Sequence, residues 1–281
     1  MALITLENAL ESIGTKGYGI GAFNIANMEM VMGAIQAAEE LNSPIIIQVA
    51  EGRMKYSPLH LIGPVMIAAA QNAKVPVVVH LDHGSSLSVI SQALELGFSS
   101  VMFDGSQYPL AQNIEMTKKI KELAKKKGAS LEAEIGKVGG SEGDYENIEV
   151  LITSVKEAKQ FYEETQVDAL AVAIGTIHGT YKVAPNLQFN RLNEIKESIT
   201  CPLVLHGGSG LTDDDFKQCI AKGVKKINIA TASFESVVKK VGAMFGNSRD
   251  ITYFQHSNAV VEATYENVKH HIKIFGSDNR I

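Results

Sequence analysis

Three histidines stand in a pattern that could bind a catalytic metal ion. His83, His178 and His206 each come at the end of a short apolar run, and each is followed directly by glycine. If the three runs are parallel strands of one barrel, their carboxyl ends meet at the same face and the imidazoles converge there. Three neutral imidazoles with an open fourth position are a typical arrangement for catalytic zinc. A single such histidine would be explained better by a hydrogen bond at a strand end, so the prediction depends on all three together.

Carboxylates also occur near the ends of the predicted strands. Asp82 directly precedes His83, Asp104 closes another apolar run, and Glu132 and Glu134 share one face of a strand because side chains alternate with a period of two. A carboxylate at a strand end is usually a helix cap or a solvated charge, and we expect that of at least one of these. Asp82 is the best placed to pass a proton to or from an oxygen of a metal-bound substrate, which is general acid–base catalysis.

Two further loops suit a phosphate group. The glycine-rich segment 207–210 lets backbone N–H groups approach an anion, and the segment 228–231 opens a helix whose N-terminus favours negative charge. In many barrels the loops after strands seven and eight hold phosphate. The glycines alone are weak evidence, because tight turns also need glycine.

The elements that must position these residues alternate along the whole chain. Helical patterns at 28–41, 59–71, 87–96, 110–127, 155–164 and 213–221 separate β-branched runs, and a last helix is predicted at 258–274. Fully apolar strands separated by helices predict an α/β fold, a single (β/α)8 TIM barrel of residues 1–281 with an extra C-terminal helix. A doubly wound sheet is the alternative, because a strand count from sequence easily errs by one or two. The eight predicted strands are 18–23, 44–49, 75–81, 99–103, 130–135, 169–173, 202–205 and 226–229.

One segment breaks this alternation. Residues 136–149 are polar and rich in glycine, with no apolar period, and we expect a long loop that closes over bound substrate. The other five histidines are expected to be structural or solvated: His80 should point into the barrel, whereas His60, His256, His270 and His271 should be solvated.

Composition excludes several classes of partner. The 281 residues carry 26 Lys+Arg and 31 Asp+Glu, a net charge of −5, with no long basic run, which argues against nucleic acid and against an anionic membrane surface as partners. No signal peptide or membrane-spanning stretch is evident, so we expect a cytoplasmic protein. The two cysteines, Cys201 and Cys219, match no metal-binding spacing and should be reduced thiols.

Motifs at the predicted strand ends and at the end of the chain occur together in one order. They are Asn24 in Ala-Phe-Asn-Ile, Asp82-His83-Gly84, Glu132-Ala133-Glu134, Ile177-His178-Gly179, Leu205 to Gly210, Lys226 to Thr231, and the closing Phe275-Gly276-Ser277. In this order the motifs resemble one known family, the class II zinc-dependent ketose-bisphosphate aldolases. The resemblance covers nearly the whole chain, and the form of segment 228–231 is most similar to the tagatose-bisphosphate branch.

This resemblance implies a role for each motif. His83, His178 and His206 would bind catalytic Zn²⁺, Asp82 would be the acid, Glu142 in the loop would be the base, and Asn228 would contact the enediolate. The resemblance also implies a second, non-catalytic metal position at Asp104 and Glu134, and a monovalent cation, Na⁺ or K⁺, near the carbonyls of Ile177, Gly179 and Gly207. Relatives of this kind suggest a homodimer or homotetramer. Substrate phosphate would be held by Gly179, Gly207, Gly208, Ser209, Asn228, Ala230 and Thr231.

The stretch after the second strand departs from the family pattern. Members that take phosphorylated aldehydes usually carry Ser-x-Gly-Ala there, whereas this chain has Ala50, Glu51, Gly52 and Arg53. A tail arginine of the family is also missing, where this chain has Thr252-Tyr253-Phe254. Arg53 could pair with a carboxylate, a sulfonate or a differently placed phosphate, or else point to solvent or pair with Glu51. We therefore expect an intact dihydroxyacetone phosphate half and a changed aldehyde half.

The sequence predicts a small-molecule sugar phosphate as the partner and leaves several functions open. The first is zinc-dependent retro-aldol cleavage of a ketose 1-phosphate or 1,6-bisphosphate with an altered pocket at Ala50 and Arg53. The alternatives are an ordinary tagatose or fructose 1,6-bisphosphate aldolase, a non-catalytic aldolase companion subunit, and a metal-dependent sugar-phosphate isomerase or epimerase. A Schiff-base aldolase is not expected, because no lysine closes a barrel strand in a suitable way.

Overall fold

A closed barrel of eight parallel strands lies at the centre of the computed structural model, which describes residues 2–140, 151–179, 181, 185–247 and 250–281. The first and last barrel strands pair with each other, so the sheet has no open edge and the doubly wound alternative is wrong. The predicted TIM barrel is confirmed. Its strands, in their order around the barrel, are β1 (Ile20–Asn24), β10 (Val224–Ile229), β9 (Leu203–Leu205), β7 (Ala169–Val172), β5 (Ser130–Ile135), β4 (Ser100–Phe103), β3 (Val77–Gly84) and β2 (Ile45–Ala50).

Helices alternate with the strands and pack around them. All seven predicted helices are present, and the C-terminal one is longer than predicted because Thr252 and Gln255 form a capping box at its start. The helices are α1 (Leu6–Ile13), α2 (Met28–Glu40), α3 (Leu59–Asn72), α4 (Leu87–Leu96), α5 (Leu110–Lys126), α6 (Val155–Thr165), α7 (Phe189–Ser198), α8 (Asp213–Ala221), α9 (Thr231–Asn247) and α10 (Tyr253–Phe275), with a 3-10 helix at Glu51–Arg53.

Helix α1 closes the bottom of the barrel and was not predicted. The Thr5 side chain caps it by accepting a hydrogen bond from Asn8 N–H. Its buried residues Leu6, Leu10 and Ile13 join the cluster that fills the amino-terminal end of the barrel. The spacing of these residues, three or four apart after a threonine, is a helix signal that the sequence analysis overlooked.

The prediction of a loop at 136–149 is wrong in one part. Gly139–Gly140 forms a short strand, β6, which pairs in parallel with β8 (Ile177–His178). Lys137 also bridges to Leu151. Residues 141–150, including Glu142, lie outside the described residues. The strand could not be predicted from its two glycines, because glycine is uncommon in strand interiors.

The prediction that His271 is solvated is wrong, since its side chain is buried against three phenylalanine rings. The ring centroids of Phe23 and Phe216 lie 6.0 Å from the imidazole and that of Phe275 lies 5.6 Å away. Nδ1 lies 2.8 Å from the carbonyl of Asn267, its partner within the helix. His271 therefore belongs to the core between α10 and the barrel.

His271 should make stability depend on pH. Burial lowers its pKa from 6.5 to about 4, so the folded protein resists protonation that the unfolded chain accepts. This stabilisation is present above pH 6.5 and is lost as pH falls from 6.5 toward 4, so the contribution of His271 to the free energy of unfolding should fall by about 2 kcal/mol between about pH 7 and pH 5. Urea denaturation at both pH values measures this loss. His271→Phe should remove much of the dependence, whereas His270→Gln, at an exposed neighbour, should not; equal slopes in both variants would contradict the assignment.

The other three histidines that were predicted to be solvated, and the two cysteines, agree better with the predictions. His60 and His270 are exposed, while His256 is half-buried. Cys201 and Cys219 are both buried and free of disulfides, as predicted. No helix among the described residues is long and apolar enough to cross a membrane.

Candidate active site

The three predicted ligand histidines meet at the carboxyl end of the barrel. His83 lies near the end of β3, and His206 directly follows β9. His178 lies in the short strand β8, which pairs with β6 outside the barrel, rather than at the end of β7. The ring centroids of His83 lie 4.9 Å from His178 and 4.6 Å from His206. One nitrogen from each ring can join a set of atoms within 4.8 Å of one another, which suits a single metal ion. His83 has a φ of +46°, a backbone conformation that is uncommon for a side chain of this size and typical of functional sites.

Carboxylates orient two of the imidazoles and leave their other nitrogens for a ligand. His83 Nδ1 lies 2.8 Å from Asp104 Oδ2, and His206 Nε2 lies 2.9 Å from Glu132 Oε1. His83 Nε2 and His206 Nδ1 are buried and have no hydrogen-bond partner among the described residues. Metal-binding histidines typically donate their second N–H to a carboxylate in this way. The site therefore fits a metal ion, and Asp104 is engaged with His83.

The electrostatics of the cluster favour a positive charge. Burial lowers the pKa of His83, but Asp82, Asp104 and Glu134 outweigh burial and hold that pKa well above its usual range. Burial likewise opposes protonation of His206, yet Glu134 and Glu132 raise its pKa to about 9. Carboxylates that favour a protonated imidazole also favour a metal cation at the same place, since both are positive charges. Glu134 Oε2 lies 3.3 Å from His206 Nδ1 but outside hydrogen-bonding geometry. Glu134, His83 and Asp104 could form a second metal-binding group.

Asp82 lies beside the histidines in a row of hydrogen-bonded side chains, here named the amide chain, which runs from Gln48 through Asn24 and Asp82 to Asn228. Asn228 Nδ2 donates to Asp82 Oδ1 at 2.9 Å, and Asn24 Nδ2 donates to Oδ2 at 3.0 Å. Burial raises the pKa of Asp82, but the surrounding imidazoles and Lys226 outweigh burial and lower it to about 2. Asp82 is thus a buried carboxylate whose two oxygens are held by fixed donors.

The residues predicted to hold phosphate line one small cleft next to His178. Gly207 has a φ of +67°, and a Cβ there would lie 2.5 Å from the carbonyl of Ile177, so only glycine fits. Ser209 Oγ accepts a hydrogen bond from Ala232 N–H, which ties the loop to the start of α9. The cleft is lined by His178, Gly179, Gly207, Gly208, Ser209, Asn228, Ala230 and Thr231.

Tyr181 joins the two loops of this cleft and was missed by the sequence analysis. Its hydroxyl donates to the carbonyl of Gly207 at 2.8 Å and accepts from Ile177 N–H at 3.0 Å. Burial raises its pKa to about 12, so the group stays a neutral donor. Tyr181 therefore holds the strand that carries His178 against the loop that follows His206.

Arg53 lies in a second cavity of about 190 Å³ that adjoins the amide chain at Asn24. Its guanidinium lies over the ring of Phe234, 5.6 Å from the ring centroid. Its Nε is buried, with no hydrogen-bond partner among the described residues. Ala50 and Tyr56 line the same cavity.

The pairing of Arg53 with Glu51, considered as an alternative, is not observed among the described residues. Glu51 instead accepts hydrogen bonds from the N–H groups of Ser85 and Ser86, at 2.7 and 3.1 Å. It thereby ties the loop after β2 to the loop that follows His83.

His80 lies inside the barrel, as predicted. Its Nδ1 lies 2.8 Å from Ser100 Oγ, and its Nε2 has no hydrogen-bond partner among the described residues. Burial and the nearby cation Lys226 lower its pKa to about 3, so it stays neutral.

Comparison with known proteins gives a family that is consistent with the geometry of this site. The family model described as class II fructose-bisphosphate aldolase matches residues 4–280. A sulfofructosephosphate aldolase of Alkalicoccus urumqiensis is 39% identical, with 100% of this chain and 99% of the relative covered, and a fructose-bisphosphate aldolase of Staphylococcus aureus is 38% identical over the same shares. Among solved structures, the YdjI aldolase from Escherichia coli K12 superposes with a TM-score of 0.88 at 34% identity, covering 99% of each chain.

The chain belongs to the class II fructose-bisphosphate aldolase family. Aldolases are lyases that act on sugar phosphates, and class II aldolases as a rule depend on zinc. The family recognised from the motifs is thereby confirmed, and the tagatose-bisphosphate branch stays a prediction.

Proposed function

We propose that this chain cleaves a ketose 1-phosphate or 1,6-bisphosphate by a zinc-dependent retro-aldol reaction, giving dihydroxyacetone phosphate and an aldehyde. The observation that carries the proposal is the convergence of His83, His178 and His206 beside the buried carboxylate of Asp82. A metal ion at the three imidazoles would polarise the substrate carbonyl as a Lewis acid. We take residues 1–281 to be one domain.

The chain's own residues supply the proton transfers. In the cleavage direction Asp82 takes the proton of the hydroxyl that becomes the aldehyde oxygen, and in condensation it returns that proton. The amide N–H groups of Asn228 and Asn24 hold its carboxylate toward the site. Glu142 is proposed as the base that removes the C3 proton in condensation; it lies outside the described residues and stays a prediction.

The phosphate of the dihydroxyacetone half is proposed to bind in the cleft next to His178. Gly207 and Gly208 allow the backbone to approach an anion closely, and Thr231 opens α9, whose N-terminus favours negative charge. A monovalent cation near the carbonyls of Ile177, Gly179 and Gly207, and a second metal at Asp104 and Glu134, remain predictions. So do the homo-oligomer and the cytoplasmic location.

The aldehyde half of the substrate is proposed to enter the cavity of Arg53. The cavity touches Asn24, which bonds Asp82, so it lies on the side where the aldehyde oxygen is protonated. The loss of the serine hydroxyl at Ala50 removes one donor for a distal phosphate, whereas the fork of Arg53 offers paired donors to an anion. One relative is named for a sulfonated substrate, and this supports a sulfonate as one such anion.

Replacing Arg53 should change which substrate is preferred. With the unaltered enzyme we expect a ketose 1-phosphate with a terminal sulfonate or an uncharged end to give a higher kcat/KM than fructose or tagatose 1,6-bisphosphate. Arg53→Ala should lower kcat/KM for the anionic substrate by about tenfold to a hundredfold, since one charge-assisted pair contributes about 1.5–3 kcal/mol. Lys55→Ala, at a neighbouring cation that does not line the cavity, is the matched control. A bisphosphate that ranks first, with a ranking unchanged by Arg53→Ala, would show an ordinary bisphosphate aldolase.

Product analysis and metal content separate the remaining alternatives. An isomerase or epimerase would consume a ketose phosphate without releasing dihydroxyacetone phosphate, which a coupled assay detects. A non-catalytic companion subunit would not need a metal ion. Stoichiometric zinc in the purified protein, together with released dihydroxyacetone phosphate, supports the proposal, and either one missing counts against it.

A further inference from the structure

A lysine lies fully buried inside the barrel, beside the proposed acid. Lys226 is on β10 and its side chain has no exposed surface. Its Nζ lies 2.8 Å from Glu132 Oε2 and 2.7 Å from Asn228 Oδ1. Burying an ammonium group carries a large desolvation cost, and an apolar side chain would fill the same space without it. The position therefore calls for an explanation beyond packing.

The hydrogen-bonding capacity of lysine fixes the direction of the amide chain. An ammonium group only donates, so Asn228 must turn its Oδ1 to Lys226 and its Nδ2 to Asp82. On the other side Gln48 donates to Asn24, which in turn donates to the second oxygen of Asp82. Lys226 is thus the cation that holds the Asn228 amide in one of its two orientations. Without it, the amide could turn its oxygen toward the carboxylate and lose that bond.

We propose that Lys226 is a positioning residue for the reaction proposed above. Through the amide of Asn228, it holds the carboxylate of Asp82 and the N–H of Asn228 in the orientation that proton transfer to substrate requires. The inference rests on the proposed function, because Asp82 is a proton donor only if that function is correct. Among the contacts of the described residues, Lys226 bonds none of the three histidines, and it reaches the phosphate cleft through Asn228.

A purely structural role for Lys226 would be to balance the charge of Glu132. The test therefore removes that charge first, with Glu132→Gln as the reference variant. Lys226→Met and Lys226→Gln are then each added to it. Both replacements are uncharged, and only the glutamine side chain can still donate an N–H to Asn228. Lys225→Met is the matched control, since Lys225 bonds the carbonyl of Gly14 instead.

Relative to Glu132→Gln alone, adding Lys226→Met should lower kcat about 100-fold, as expected for a misoriented catalytic group. The KM for the ketose phosphate should stay within about threefold, and the zinc content should not change. The thermal transition should not fall, because the replacement removes a buried ammonium group that has already lost its carboxylate partner. Lys226→Gln should recover most of the loss. Equal kcat in the Met and Gln versions, or a change confined to KM, would overturn the proposal.

A second measurement needs neither a variant nor activity. Hydrogen exchange of side-chain amides, followed by NMR on asparagine-labelled protein, should show the Asn228 amide exchanging at least about 100-fold more slowly than that of Asn72, which bonds a carbonyl at an exposed site. Comparable rates would show that the amide is not held, and would overturn the proposal even if a folded variant cannot be made. Slow exchange without any release of dihydroxyacetone phosphate would show that the proposed function has failed, while the positioning geometry stands.

Discussion

His206→Ala should abolish nearly all activity and most metal binding. The imidazole is fully buried, Glu132 orients it, and its Nδ1 is the nitrogen left for a ligand. Two remaining protein ligands hold catalytic zinc poorly, and the Lewis-acid contribution lost with the metal amounts to several kcal/mol. We expect kcat/KM to fall by at least about 1000-fold, with the zinc content falling in parallel.

The control for this variant is His60→Ala, at an exposed histidine of α3. It should keep the zinc content, and kcat/KM should remain within about twofold of the unaltered enzyme, as is usual for surface changes. Zinc is measured by elemental analysis of the dialysed protein and activity by release of dihydroxyacetone phosphate. A His206→Ala enzyme with normal turnover and normal metal content would show that His206 is not a ligand.

Asp82→Asn should lower kcat strongly while leaving the metal in place. The substitution keeps the shape of the side chain but removes the proton-carrying carboxylate, and general acid–base groups contribute about 100-fold to 10,000-fold. It also sets an N–H group against the amide donor of Asn228 or Asn24, so one of the two hydrogen bonds is lost. We expect kcat to fall by about 1000-fold with KM and zinc content little changed.

Asp213→Asn is the matched control, because Asp213 lies in the exposed first turn of α8, away from the cluster. It should leave kcat within about twofold. If Asp82→Asn lost zinc in step with activity, Asp82 would be a determinant of the metal site rather than the proton donor. An unchanged kcat would remove Asp82 from the reaction.

Much of the fold follows from local patterns in the sequence. The strands that carry the site are continuous β-branched runs, and the observed β5 and α4 match the predicted bounds, 130–135 and 87–96. Such runs are buried on both faces, which is what a parallel barrel requires. The convergence of His83 and His206 could likewise be predicted, because His83 lies near the carboxyl end of β3 and His206 directly follows β9, and both strand ends face the site.

The parts that could not be predicted depend on contacts between distant segments. His178 reaches the cluster from β8, and that strand exists only because Gly139–Gly140 pairs with it. The burial of His271 depends on rings from β1 and α8, which its own helix does not reveal. The partners of Arg53 and Glu51 likewise do not follow from the sequence, because a charged side chain near a strand end can bind either a ligand or a neighbouring loop.

Lys226 is the clearest omission. A lysine within an apolar strand is normally assigned to an edge or to solvent, since an unpaired buried charge is costly. Only the strand register places it inside the barrel, where its carboxylate partner comes from β5, 94 positions earlier in the chain at Glu132. Its period-of-two relation to Asn228 was the one local signal that could have shown that both side chains face the interior.

The central claim, metal-dependent release of dihydroxyacetone phosphate, is tested most directly by metal removal and restoration. The purified enzyme is stripped with a chelator, assayed on a panel of ketose 1-phosphates and 1,6-bisphosphates, and assayed again after zinc is added back. We predict that cleavage disappears with the metal and returns with about one zinc ion per chain, as expected for one three-histidine site. Cleavage that survives complete metal removal, above all with borohydride trapping of substrate on a lysine, would contradict the account.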